Sequence, residues 1–135
     1  MLNKITLILI IMFTSYTNAQ KVIGKPDVNN LDKFIQEVYV DNADVLAPEG
    51  SKQYEFLKNY LKRIEYLDYS SKDHINAEIR EITSDLLAST YTELTLGDSV
   101  EPENFNPLKY KLDYNNNDVV YYFINKNFII KIKPL

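Results

Sequence analysis

Carboxylates dominate the side chains that could do chemistry in this chain. Glu78, Glu81 and Asp85 fall at i, i+3 and i+7, one side of a helix if that stretch is helical. Glu101 and Glu103 sit close together in a stretch that reads as a loop. A paired-acid hydrolase needs two such groups facing each other across a cleft, roughly 5–10 Å apart. A solvated acidic helix face needs only water, and it is the simpler reading of these spacings. His74, the one histidine, stands beside Asp73 and has the chemistry of a proton shuttle. An exposed residue at a helix start accounts for it equally well.

One histidine and no cysteine make no zinc site of the usual composition and supply no thiol nucleophile. No G-x-S-x-G motif accompanies His74, and three scattered glycines build no phosphate cradle. The stretch "DYNNND" puts Asp113, Asn115 and Asn117 at the first, third and fifth positions of a calcium loop. Such a loop then requires glycine where Asp118 stands and glutamate where Ile124 stands. A turn explains these residues better. The expectation is a chain with no metal, no cofactor and no assigned catalytic residue.

The elements that position these groups begin after an export address. Lys4 opens a short basic start, residues 5–13 are apolar save for Thr6, and small residues Thr17 and Ala19 follow. This three-part pattern is that of a secretory signal peptide over residues 1–19, cut after Ala19. A membrane anchor is the competing reading, but a spanning helix needs about 20 apolar residues and this run is far shorter. The expected location is the periplasm or the medium; an uncleaved, membrane-tethered form is the alternative. Without cysteine an exported domain has no disulfide, so its core must hold it unaided.

The remaining chain divides into an extended arm over 20–29 and one domain over 30–135. Its charge is 14 bases against 19 acids, a net of −5 without Lys4. The acidic excess lies between Asp27 and Glu103, whereas Phe105 onward carries two acids and five lysines. That balance argues against nucleic acid as a partner, since phosphate binding needs a broad basic field.

Leu31, Phe34, Ile35 and Val38 form one apolar stripe behind a capping Asn30, which predicts a first helix. Ser51 can cap a second, with a stripe of Tyr54, Leu57, Tyr60, Leu61, Ile64 and Leu67. Ile75, Ile79, Ile82 and Leu86 recur at helical spacing and suggest a third. Strands then take over. Leu108, Tyr110, Leu112 and Tyr114 alternate with polar residues, 119–124 is apolar throughout, and Phe128, Ile130 and Ile132 alternate in the last run. The predicted architecture is α+β: two to three N-terminal helices packed on one face of a C-terminal three-stranded antiparallel meander.

Within that meander a tight hairpin puts Val119, Tyr121 and Phe123 on the face of Phe128, Ile130 and Ile132. Val120, Tyr122 and Ile124 then point away from the helices, flanked by Lys109 and Lys111 on one side and by Ile129, Lys131 and Lys133 on the other. Lysine stems can cover such a stripe by themselves. An apolar centre rimmed by lysines also suits an acidic protein partner or self-association. The expected function is therefore a non-enzymatic interaction protein of the cell envelope, and the alternative is a small carboxylate-dependent hydrolase.

At "ENFNPLKYKLDY" followed by "NKNFIIKIKPL" the chain resembles a group of small exported bacterial proteins of unknown function. They pair an F-N-P-L-K-Y box, here residues 105–110, with a last strand rich in isoleucine and valine that ends at lysine-proline. The resemblance covers 104–134 closely and the helices loosely. It implies no activity, and the group carries polar residues where Tyr122 and Ile124 stand.

Overall fold

A computed structural model describes residues 20–88, 101–116, 118–122 and 128–135, without the side chains of Ser84 and Asn104. The fold mixes helices with a single five-stranded sheet. The strands are β1 (Val22–Gly24), β2 (Ile64–Asp68), β3 (Glu78–Glu81), β4 (Val119–Tyr122) and β5 (Phe128–Ile132). They run in the order β1-β2-β5-β4-β3, antiparallel throughout except for β3 against β4. Three α-helices accompany them: α1 (Leu31–Tyr39), the single turn α2 (Ala43–Leu46) and α3 (Lys52–Lys62).

The first helix follows its sequence pattern. Leu31, Phe34, Ile35 and Val38 are its buried residues. Its start differs from expectation: Asn30 makes no cap bond, and the Asp27 carboxylate instead accepts from the Asn29 amide at 2.9 Å, opening a 3-10 turn that leads into α1. Ser51 caps α3 as its position suggests, its hydroxyl accepting from the Tyr54 amide at 3.1 Å.

Three elements depart from the sequence expectation, each for a physical reason. The stripe of α3 continues to Leu67 in sequence, but the helix stops at Lys62 and β2 begins at Ile64. Ile64 and Tyr66 are β-branched and aromatic residues that a strand accommodates well. The strand uses both of its faces, so its buried residues never had to lie on one helical stripe. The expected third helix is absent as well. Tyr69–His74 is a 3-10 helix, Glu78–Glu81 is β3 and Ser84–Leu86 is another 3-10 turn. Its isoleucines serve different surfaces: Ile82 joins the main core, whereas Ile75 packs on the opposite face of the sheet.

The predicted first strand of the meander is the third departure. Pro107–Lys109 is a 3-10 turn whose start is closed by Asn106, its Oδ1 accepting from the Leu108 amide at 3.0 Å. Beyond it only one bridge forms, Leu87 to Tyr110. The alternation of Leu108, Tyr110, Leu112 and Tyr114 therefore records one-sided burial of an extended segment without a full ladder. The sheet instead recruits β1, β2 and β3 from earlier in the chain. The arm over 20–29 contributes β1.

Register sets the two faces of the sheet. Tyr121 pairs with Ile130 and Tyr66 with Ile130 from the other side, so all three share the helical face. There they join Leu31, Phe34 and Ile35 of α1 and Leu57, Tyr60 and Leu61 of α3 in the main core. Val120, Leu67 and Ile129 occupy the other face. A second, small core forms there, with Tyr69, Ile75 and Ala77 packed against those three.

Candidate functional site

The chain folds back over the far face of the sheet. Val120 is 1% exposed and Ile129 is 0% exposed, because the 69–77 segment lies across them. That roof is tied down at its edge. The buried Ser71 hydroxyl accepts from the Lys21 amide at 2.8 Å. Gln20 bridges outward, donating to the His74 carbonyl at 3.1 Å and accepting from Lys131 Nζ at 3.1 Å.

The residues expected to form a contact stripe are consequently dispersed. Val120 and Ile129 lie under the roof, and Tyr122 is half-buried with its ring 5.9 Å from that of Tyr69. Lys131 is held by Gln20, and Lys133 pairs with Glu65 at 3.1 Å. Lys109 stands on the helical side, paired with Glu37 of α1 at 3.4 Å. Lys111 is also there, exposed beside an aromatic pocket. Ile124 lies outside the described residues. The hairpin parity was read correctly from the sequence, but an open far face was not, because the cover comes from a segment that reads as helix.

Carboxylates do not converge either. Glu78 and Arg80 pair along β3 at 3.0 Å, and Asp85 accepts from the Thr83 hydroxyl in the following turn. A small pocket of about 180 Å³ is lined by Asp32, Asp44 and Glu49 with Ile35, Ala43 and Ala47. Asp32 is engaged there by the Tyr54 hydroxyl at 2.9 Å. Among the described residues no three of histidine, cysteine, aspartate and glutamate come together as a metal set. Asp113 and Asn115 of the calcium-like stretch make a turn, the carboxylate of Asp113 accepting from the Asn115 amide at 3.1 Å.

The arrangement that stands out is aromatic. The end of α1 gives Tyr39, α3 gives Phe56, Leu57 and Tyr60, and the 108–114 segment gives Leu108, Tyr110, Leu112 and Tyr114, all around a pocket of about 290 Å³. Helical spacing places Phe56 and Tyr60 one turn apart on α3. Phe56 and Tyr114 meet edge to face, ring centres 5.2 Å apart, and Tyr60 meets Tyr114 at 5.8 Å. Arg63 fixes the far strand of this wall, donating through Nη2 to the Tyr114 carbonyl at 2.7 Å and through Nε to the Lys133 carbonyl at 2.8 Å.

Burial divides the pocket into floor and mouth. Leu57, Tyr60 and Leu112 are buried, whereas Phe56 is 41% and Tyr114 37% exposed. The Tyr60 hydroxyl is buried without a hydrogen-bond partner among the described residues. Burial drives its phenol well above the ordinary value of 10.0, so at neutral pH it is an uncharged group with a proton to donate. A larger concavity of about 370 Å³ between Lys25, Val28, Leu61 and Lys62 has no aromatic wall. Sequence reading missed the aromatic pocket because Tyr110, Leu112 and Tyr114 looked like the buried side of a strand, and Phe56 lay off the apolar stripe of α3.

Comparison with protein-family models, with curated proteins and with solved structures found no match to this chain. Among the described residues no helix is long and apolar enough to cross a membrane.

Proposed function

We propose that this chain is an exported, non-enzymatic binding protein of the cell envelope, periplasmic or secreted, and that it holds an apolar side chain of an acidic protein partner in the pocket between α3 and the 108–114 segment. The observation that carries this reading is the pair of exposed rings, Phe56 and Tyr114, standing over a floor of Leu57, Tyr60 and Leu112. Aromatic anchors in a preformed concavity are where binding energy concentrates at protein interfaces. Lys111 at the rim favours a negatively charged flank on the partner. The pocket replaces the far sheet face as the contact surface, since that face is covered by the 69–77 segment.

The test is a titration with synthetic acidic peptides that each carry one phenylalanine or tryptophan, compared with the same peptides bearing glycine there. The aromatic peptides should bind, and Phe56→Ala or Tyr114→Ala should each cost more than about 1 kcal/mol of affinity with the fold intact. Equal binding of the glycine peptides, or no effect of either substitution, would remove the pocket as the site.

A further inference from the structure

The exposed edge of β3 carries an inference of a different kind, independent of the aromatic pocket. β3 ends the sheet, and among the described residues no strand pairs with its outer side. Its inner side is fixed by hydrogen bonds from the Glu78 amide to the Asp118 carbonyl at 2.6 Å and from the Ile82 amide to the Tyr122 carbonyl at 2.7 Å. Backbone groups alternate along a strand in a parallel pair, so even-numbered residues bond inward to β4. Ala77, Ile79 and Glu81 therefore turn their amides and carbonyls outward. An edge of this kind is a template for another strand.

We infer that two copies of this chain join through β3, antiparallel about a two-fold axis at Ile79, so that two five-stranded sheets become one continuous sheet. Three observations select this arrangement. The axis falls on an outward-bonding residue, so Ile79 and its copy exchange two hydrogen bonds, and Ala77 and Glu81 exchange bonds on either side. The same register sets Glu78 opposite Arg80 of the second copy, twice by symmetry. These two side chains are exposed and already attract each other within one chain at 3.0 Å, so the interface extends an ion pair into an alternating row. Ile79, 36% exposed in the single chain, meets its own copy at the centre.

Other registers are penalised. An axis between Ile79 and Arg80 sets Glu78 against Glu81, and an axis on Arg80 sets arginine against arginine. The opposite edge of the sheet behaves differently. Self-pairing of β1 about Ile23 would set Lys21 against Lys25, and the register of β1 is already irregular between Val22 and Gly24. One edge is self-complementary and the other self-repelling, which gives a closed pair in preference to a growing fibre.

The experiment is a charge swap read by sedimentation. The purified protein should sediment as a dimer over a wide concentration range. Arg80→Glu alone and Glu78→Arg alone should each give a monomer with unchanged circular dichroism, because like charges then face each other across the axis. An equimolar mixture of the two variants should regain the doubled mass, since glutamates of one face arginines of the other. A monomeric parent protein, a dimer indifferent to both substitutions, a mixture that stays monomeric, or association continuing into polymers would each overturn the inference.

Discussion

Asn106 shows how much one side chain holds in this molecule. It is buried, and its Nδ2 donates to the Phe34 carbonyl at 3.1 Å and to Glu37 Oε2 at 2.9 Å, while its Oδ1 takes the Leu108 amide. Beside it, Phe105 packs edge to face against Tyr66 and Phe128 and stacks on Tyr110 at 5.4 Å. The F-N-P-L-K-Y box thus has a structural task here: it fastens α1 to the segment that walls the aromatic pocket. Asn106→Ala leaves the Leu108 amide and the Phe34 carbonyl without this partner and should cost about 1–3 kcal/mol in denaturant unfolding. Tyr60 and Tyr66 provide a second residue-level test. Both phenols are pushed up from 10.0, chiefly by burial, and both hydroxyls lack a partner. A folded-state pKa raised above the unfolded value gives stability that is complete below pH 10 and declines above it as the unfolded chain ionises first. Stability measured against pH should therefore fall through the alkaline range, and Tyr66→Phe should flatten that fall.

At the level of elements, the stretches with one clear period were legible in the sequence and those that serve two surfaces were not. α1 buries one stripe and was visible as such. The hairpin parity of β4 and β5 was legible too, because alternation in the last run fixes which residues share a face. In contrast, residues 64–68 bury side chains on both sides of the sheet, and the run from Ile75 to Leu86 supplies a roof, an edge strand and a core residue in turn. No single period describes such a segment, so helical spacing there was a coincidence of isoleucines. The roof makes a direct prediction. Val120→Asp places an unpaired charge beneath Tyr69, Ile75 and Ala77 and should cost more than about 3 kcal/mol, a large share of a domain's stability. Urea unfolding would measure it. If Val120→Asp is tolerated, the far face is open and the contact stripe inferred from sequence returns.

For the whole molecule, the sheet separates two different surfaces. One side carries the main core with α1 and α3, and the pocket opens where the 108–114 segment meets them. The other side is closed by the chain's own 69–77 segment, held by Gln20 and Lys21 at the start of the described chain. Its remaining backbone outlet is an edge, β3, whose charges suit a second copy of itself. Composition had indicated an acidic, cysteine-free chain with a local lysine excess after Phe105, and those lysines turn out to be divided between the two sides. What composition lacked was the three-dimensional grouping of Phe56 with Tyr114, residues far apart in sequence.

The most direct measurement is a ring-resonance map of the protein titrated with an acidic peptide bearing a single phenylalanine. Saturable shifts should centre on Phe56, Tyr60 and Tyr114, with Tyr69 and Tyr122 unmoved. Shifts confined to Tyr69 and Tyr122, or none at any ring, would contradict the assignment of the binding site to the helical side.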